Sequence, residues 1–318
     1  MCTKVYKYSF HRIITVNNMP SQNIQWFPGH MAKTRRLISE NIKLVDVVIE
    51  LVDARIPYSS KNPEIASLCA IRPVLTLFNK STLADNNATK KWIDAYAAEG
   101  RHAIAIDCVT GDGLKAIAPA CRKILADKLE RYESKGMAGR KIRAMIVGIP
   151  NVGKSSLVNK LSGSKKARVE DRPGVTTSKQ WVTTNIGIEL LDMPGILWPK
   201  FEDEIIGENL AFTGAIKDAI LDTETLAGKL CARLLSNAPD KFCTRYKLEK
   251  SKLEGLKPHE LLATVARKRG FLISGGELDT ERAATIVLDE FRGSKIGRIT
   301  LELPGQHTKS DKSEASEQ

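Results

Sequence analysis

The fold of this chain is decided by the stretch Ala144-Met145-Ile146-Val147-Gly148-Ile149-Pro150-Asn151-Val152-Gly153-Lys154-Ser155-Ser156-Leu157. Four apolar residues lead into the pattern G-x-x-x-x-G-K-S, and the residues after it have the spacing of a buried helix start. This succession of strand, glycine-rich loop and helix predicts a phosphate-binding loop. An ordinary glycine turn before a helix would not require a lysine and then a serine at these two offsets.

The chemistry of such a loop assigns a role to most of its residues. Gly148 and Gly153 let backbone N–H groups point at phosphate oxygens, and the following helix directs the positive end of its dipole to the same place. We expect Lys154 to reach the β- and γ-phosphates and Ser155 to bind Mg²⁺. The predicted phosphate-binding residues are Asn151, Val152, Gly153, Lys154, Ser155 and Ser156.

The composition of the 318 residues is that of a globular protein long enough for two domains, with 42% hydrophobic and 27% charged residues. No apolar run reaches the roughly 18 residues that span a bilayer, so we expect a soluble protein without membrane contact. The six cysteines form no C-x-x-C pair, which indicates neither a zinc site nor a disulfide framework. We expect a cytoplasmic monomer, with the mitochondrial matrix as the alternative location.

The net charge is +12, and the basic excess is confined to the first part of the chain. Residues 1–202 hold 31 Lys and Arg against 18 Asp and Glu, whereas residues 203–303 hold 16 of each. A basic nucleotide-binding part beside a neutral part indicates a polyanionic partner, and RNA is the usual large one. A purely solubilising surface charge is the alternative.

Strands and helices alternate through the first part, which predicts a doubly wound α/β sheet. The predicted strands cover residues 45–52, 73–78, 102–106, 181–186 and 188–191. The predicted helices cover residues 28–44, 63–69, 90–99 and 115–132. A linker rich in glycine and charge, residues 134–143, joins this alternating part to the strand that enters the phosphate loop.

The chain divides into four segments. Residues 1–21 are expected to be a flexible extension, and they do not form a secretory signal because they lack its apolar region. A transit peptide, or a start assigned too early with Met19 as the true first residue, are the alternatives. Residues 22–201 form the predicted nucleotide-binding domain, residues 202–303 an all-helical domain and residues 304–318 a disordered tail. Basic residues at helix ends are expected either to bind RNA or to complement helix dipoles; they are Arg267, Lys268, Arg269, Arg292, Lys295 and Arg298.

The nucleotide motifs stand in an unusual order. The segment Asn79-Lys80-Ser81-Thr82 and the loop at Cys108-Val109 match base-binding motifs of GTPases, yet they precede the phosphate loop, the switch threonine Thr177 and the D-x-x-G motif at residues 192–195. This order resembles that of circularly permuted GTPases. Three further segments resemble one family, ribosome biogenesis GTPase A of the YlqF type, which has a mitochondrial counterpart; they are residues 26–36, 171–181 and 192–201.

The resemblance covers about residues 22–300 and implies a circularly permuted P-loop GTPase domain, an α/β fold, with a small all-helical C-terminal domain. It implies GTP as substrate and Mg²⁺ as cofactor, with Ser155, Thr177 and Asp192 at the Mg²⁺. It also implies K⁺ bound by Asn151, and it assigns Gly195 to the nucleotide.

The resemblance also bears on the hydrolytic residues. The residue after D-x-x-G is Ile196, whose side chain cannot orient water as the glutamine of many GTPases does. His30 is therefore the candidate that orients the attacking water, beside Lys154 and Thr177 as the other catalytic residues. The alternative is that His30 only packs on the turn at residues 27–29.

The base-binding motif departs from the common pattern at Thr82, where an aspartate usually accepts both guanine N1–H and N2–H₂. One neutral hydroxyl should lower the preference for guanine by roughly 1–3 kcal/mol. Asp85 takes over this role if the loop turns once more. GTP is still favoured by the remaining candidates Asn79, Lys80, Ser81, Cys108 and Val109.

The family resemblance implies a slow, ribosome-stimulated GTPase that docks in its GTP state on the rRNA of a large ribosomal subunit precursor, late in assembly. The alternative is an RNA-binding assembly scaffold whose nucleotide site, weakened at Thr82, binds without turnover. A metabolic P-loop kinase is a third reading, although the sequence indicates no phosphoacceptor pocket.

Overall fold

The computed structural model describes residues 28–137, 139–163, 180–195, 197 and 203–306. Its strands are β1 (Val47–Asp53), β2 (Val74–Asn79), β3 (His102–Ala105), β4 (Ile142–Gly148), β5 (Gln180–Thr183) and β6 (Ile188–Asp192). They form one sheet in the order β3-β2-β1-β4-β6-β5, parallel except for β5. The chain order reverses between β1 and β4, and ligands of open α/β sheets bind at the carboxyl ends of strands at such a point.

The helices of the described residues fall into two groups. Those that accompany the sheet are α1 (Pro28–Asn41), α2 (Pro63–Cys69), α3 (Asn86–Ala98), α4 (Ile117–Ile124), α5 (Ala126–Glu133) and α6 (Lys154–Ser162). Those that follow it are α7 (Glu204–Phe212), α8 (Thr223–Asn237), α9 (Pro239–Tyr246), α10 (Pro258–Arg269) and α11 (Thr280–Arg292). Helix α8 contacts α7, α9, α10 and α11, so these five form a helical part. The predicted α/β fold with permuted motif order and an all-helical C-terminal part is confirmed.

The predicted domain boundaries at residues 21–22 and 201–202 lie outside the described part, and these boundaries and the one at residues 303–304 stay predictions. Among the described residues no helix is long and apolar enough to cross a membrane.

Strand β1 lies in the middle of the sheet, between β2 and β4. Every residue of β1 is buried, as expected for a parallel strand covered by helices on both faces. Its register opposes Asp53 to Asn79 of β2 and Leu51 to Gly148 of β4, while Ile146 of β4 opposes Asp192 of β6. The polar residues at these strand ends therefore share one edge of the sheet.

The structure differs from the predicted elements in three places. The helix expected at residues 115–132 is divided at Leu125, whose buried side chain and backbone angles (φ −102°, ψ 13°) end α4 before α5 begins. Helix α3 begins at Asn86, four residues before its predicted start. Helix α9 was not predicted; it starts at Pro239, which suits the first turn of a helix.

The chain returns from the helical part to the sheet through residues 298–302, here named the C-terminal strap. The N–H of Leu301 donates to the carbonyl of Arg55 at 2.8 Å, and that of Ile299 to the carbonyl of Leu83 at 3.2 Å. The indole N–H of Trp92 donates to the carbonyl of Glu302 at 3.0 Å. The strap thereby joins the loops that follow β1 and β2.

The buried carboxylate of Glu302 anchors the strap. It accepts the backbone N–H groups of Tyr58 (2.8 Å) and Ser59 (3.0 Å), the Ser59 hydroxyl, and the side-chain amide of Asn209 on α7 (2.9 Å). One side chain therefore satisfies donors from the sheet part and from the helical part.

Replacing this anchor should destabilise the protein. Glu302→Ala leaves several buried donors without an acceptor, at about 1–3 kcal/mol each, so the free energy of unfolding should fall by roughly 3 kcal/mol or more. Denaturant unfolding measures this difference. Glu281→Ala, at an exposed site on α11, is the control and should stay within about 0.5 kcal/mol of the wild type. Equal effects of the two variants would contradict the anchoring role.

Candidate functional site

The phosphate loop runs from the end of β4 to the start of α6. Gly148 and Gly153 have positive φ angles of 149° and 107°. A Cβ atom on Gly148 would lie 2.6 Å from the Leu51 carbonyl oxygen, and one on Gly153 would lie 2.3 Å from the Asn79 amide nitrogen. Both positions therefore require glycine, for backbone conformation and for space.

Lys154 is the first residue of α6, and its side chain turns back into the loop. Its Nζ donates to the carbonyl oxygens of Ile149 (2.7 Å) and Gly148 (3.2 Å). Burial lowers its pKa to about 8, although the nearby charge of Asp192 opposes that shift. Ser155 and Ser156 follow in the first turn of α6, where backbone N–H groups lack helical partners and attract anions.

Asp192 ends β6 beside this loop. Burial raises its pKa against the attraction of Lys154. Its buried Oδ1 has no hydrogen-bond partner among the described residues. A buried acceptor of this kind fits a Mg²⁺ site, because Mg²⁺ on nucleotides takes one or two protein oxygens besides phosphate and water. Gly195 follows three residues later, and a Cβ there would lie 2.6 Å from Lys154 Nζ, so the D-x-x-G segment meets the loop directly.

Asn79 connects three segments of the site. Its Nδ2 donates to the carbonyl of Val152 in the phosphate loop at 2.6 Å, and its Oδ1 accepts the N–H of Cys108 at 3.0 Å. Lys80 lies across the same loop, because its Nζ donates to the carbonyl of Asn151 at 2.9 Å. The base motif, the base loop and the phosphate loop are thus one connected site.

The buried ion pair of Asp53 and Arg55 lies beside Lys80, and neither residue was among the predicted site residues. Asp53 Oδ2 lies 2.7 Å from Arg55 Nη2 and 3.0 Å from Lys80 Nζ. Burial alone would raise the pKa of Asp53, but these two cations hold it well below its usual range. The sequence signal was the pair of charged residues Asp53 and Arg55 at the end of a buried strand.

The predicted alternatives for the base, Thr82 and Asp85, lie in different surroundings. The Thr82 hydroxyl donates to Asp107 Oδ2 on the base loop. Asp85 instead caps α3, where its Oδ1 accepts the N–H groups of Asn87 (2.9 Å) and Ala88 (3.0 Å). Ser81 contacts the base loop through its N–H, which donates to the Ile106 carbonyl at 3.1 Å.

Asn151 also contacts the helical part. Its side-chain amide Nδ2 donates to the carbonyl of Gly214, just after α7, at 2.9 Å. Its φ angle of 57° is unusual for a residue other than glycine and turns the loop at this point.

The structure brings together most of the predicted site: Asn79, Lys80, Ser81, Thr82, Cys108, Val109, residues 151–156, Asp192 and Gly195 lie in or beside the connected loops. The roles of all these residues in nucleotide binding stay predictions, and the surroundings of two further residues are not described. Thr177 lies outside the described residues, and of His30 only the backbone, in α1, is described.

Comparisons with known proteins agree with this geometry. The family described as 50S ribosome-binding GTPase matches residues 143–249. The chain is 47% identical over 281 residues to ribosome biogenesis GTPase A of Bacillus cereus, covering 88% of this chain and 94% of that relative. It is 33% identical over 297 residues to mitochondrial ribosome-associated GTPase 1 of Mus musculus, covering 87% and 90%.

A solved structure is also similar along most of the chain. The GNP-bound structure of YlqF from T. maritima has a TM-score of 0.57 and 28% identity, and the match covers 86% of this chain and 99% of that one.

The low pKa of Lys154 predicts proton uptake when a nucleotide binds. Near pH 8.5 much of the lysine is neutral and the phosphates of GDP are fully ionised. These phosphates should raise the pKa of Lys154, so binding takes up a fraction of a proton; near pH 6.5 the lysine is already charged and contributes none. Calorimetry in buffers of different ionisation enthalpy measures this number. In Lys154→Arg, which stays charged, the proton uptake near pH 8.5 should vanish, and equal uptake by both proteins at that pH would contradict the prediction.

Proposed function

Because the chain belongs to the ribosome biogenesis GTPase A family and is a GTPase, we propose that it assists the late assembly of the large ribosomal subunit. In this proposal it docks on the rRNA of a subunit precursor while GTP is bound, and it hydrolyses GTP slowly until the ribosomal particle stimulates it. The cytoplasm is the proposed location, since the bacterial relative is more similar than the mitochondrial one.

The observation that carries the docking proposal is the bond between Asn151 and Gly214. It joins a residue of the phosphate loop to the helical part at 2.9 Å. A change at the phosphates therefore alters a contact of the helices, which is what a nucleotide-controlled docking surface requires.

The hydrolytic roles are proposed from the residues around the phosphates. Ser155, Thr177 and Asp192 would hold Mg²⁺, which neutralises charge on the phosphates. Asn151 would hold K⁺ through its side-chain oxygen, since its amide nitrogen is the atom that contacts Gly214. His30 would orient the attacking water, in place of the glutamine that Ile196 replaces.

The charge distribution supports rRNA as the partner, and the structure separates two kinds of basic residue in the helical part. Arg269 pairs with Glu290 and Arg292 with Asp218, and Arg298 donates to the carbonyl of Ala84, so these three serve the fold. Arg267 and Lys268 are exposed in the last turn of α10, and we propose that they contact rRNA phosphate.

Phosphate release tests the proposed activity. Large ribosomal subunits should raise the rate of GTP hydrolysis by the wild type, and Lys154→Ala should abolish both basal and stimulated release because the γ-phosphate loses its cation. Lys123→Ala, an exposed lysine on α4, is the control and should behave as the wild type. If subunits do not stimulate release while RNA binding is intact, the assembly scaffold is the better description.

Salt dependence tests the proposed rRNA contact. The logarithm of the affinity for large subunits should fall steeply with the logarithm of salt concentration, by about 0.9 per neutralised phosphate, and the double variant Arg267→Ala/Lys268→Ala should reduce that slope by about 2. Filter binding across a salt series measures the slope. Lys217→Ala/Lys250→Ala removes the same charge from exposed sites of the helical part and should change the slope less. A slope that neither pair changes would assign Arg267 and Lys268 to the helix dipole instead.

A further inference from the structure

The base site of this GTPase has a threonine where an acidic residue is usual, so the acceptor for guanine must come from elsewhere. Asp85 is close in sequence, but its Oδ1 accepts two N–H groups at the start of α3 and its Oδ2 lies 3.5 Å from Lys241 Nζ. This carboxylate is committed to the helix start and to a lysine of α9.

Asp107 has a different position. It follows β3 and directly precedes Cys108 on the base loop. Its Oδ1 accepts the N–H groups of Val109 (2.7 Å) and Thr110 (3.2 Å), and its Oδ2 accepts the hydroxyl of Thr82. Burial would raise the pKa of Asp107, but these donors hold it below its usual range, so the side chain is a carboxylate at neutral pH.

The bond between Thr82 and Asp107 is flanked on both sides by contacts of the same two loops. On one side Ser81 N–H donates to the Ile106 carbonyl, and on the other Asn79 Oδ1 accepts the Cys108 N–H. The Thr82–Asp107 pair therefore lies between the two segments that bind the base in the proposed function.

We propose that Thr82 Oγ1 and Asp107 Oδ2 together act as the acceptors for the N1–H and N2–H₂ groups of guanine. A hydroxyl that donates to a carboxylate keeps its lone pairs for another donor, and the adjacent negative charge strengthens it as an acceptor. Oδ2 can likewise accept a second hydrogen bond. This inference rests on the proposed function and names the residues that select its substrate.

The chemistry of the purines makes this pair testable. Guanine presents two donors at positions 1 and 2, whereas xanthine presents a donor and a carbonyl acceptor. An asparagine at position 107 supplies an N–H₂ donor beside Thr82, and this set suits the xanthine carbonyl better than the guanine amino group.

Equilibrium binding of GDP and XDP with Mg²⁺ is the test. Asp107→Asn should lower the affinity for GDP by about 10–100-fold and raise the affinity for XDP. The ratio of the two affinities should therefore change by more than either affinity alone. Thr82→Val, which removes the hydroxyl at nearly constant volume, should weaken GDP by about tenfold without a gain for XDP. Asp85→Asn, whose amide can still cap α3, is the matched control and should leave the ratio unchanged.

A variant that exchanges the carboxylate and the hydroxyl between positions 82 and 107 tests the proposal by recovery of binding and not only by its loss. Thr82→Asp alone places two carboxylates next to each other, and their repulsion should lower the affinity for GDP. Thr82→Asp/Asp107→Ser restores one carboxylate and one hydroxyl in exchanged positions and should recover the GDP preference over XDP. If Asp107→Asn fails to fold in thermal melts, Thr82→Val and the exchange variant decide.

Two results would overturn the proposal. One is an unchanged ratio of the GDP and XDP affinities in Asp107→Asn; if both affinities fall equally, Asp107 serves loop structure only. The other is a changed ratio in Asp85→Asn. Failure of the wild-type protein to bind either nucleotide would instead contradict the proposed function itself.

Discussion

The side-chain amide of Asn79 is the interaction on which the rest of the nucleotide site depends. It holds the Val152 carbonyl of the phosphate loop at 2.6 Å and the Cys108 N–H of the base loop at 3.0 Å. Since 73 residues separate Asn79 from Val152, no local pattern brings them together. The sheet does, because β1 pairs with β2 on one side and with β4 on the other. Gly153 leaves the space that the amide occupies.

Beside Asn79 the buried charges of Asp53 and Arg55 and the partly exposed charge of Lys80 form one chain. The two cations outweigh the burial of Asp53, yet buried ion pairs add little stability compared with apolar packing, so orientation explains this group better than stability. Asp53 directs Lys80 toward the Asn151 carbonyl, and Arg55 donates to the carbonyl of Arg292 at the end of α11 at 3.2 Å. The same chain thus orients a base-motif lysine and contacts the helical part.

The fold and the phosphate loop were predictable because their signals are local: apolar runs, glycine spacing and the residues after each strand. The base site was predictable only in part. Asp85 was a candidate if the loop turned once more; instead α3 begins at Asn86, four residues before its predicted start, which makes Asp85 its cap. The contact of Thr82 with Asp107 joins residues 25 positions apart across two strand ends, and only the paired sheet reveals it. Burial of Leu125 likewise divided a helix that periodicity alone made continuous.

The helical part contacts the nucleotide site from both ends. At the phosphate end Asn151 donates to Gly214, and at the base end Arg298 of the C-terminal strap donates to the carbonyls of Ser81 (2.8 Å) and Ala84 (2.9 Å). A nucleotide shifts the arrangement of the helices only by its difference in affinity for two arrangements. In the proposed function, the contacts at both ends are the places where such a difference would arise, at the base or at the γ-phosphate. If the nucleotide changes the affinity of the protein for a ribosomal particle by some factor, then by reciprocity the particle changes the affinity for that nucleotide by the same factor.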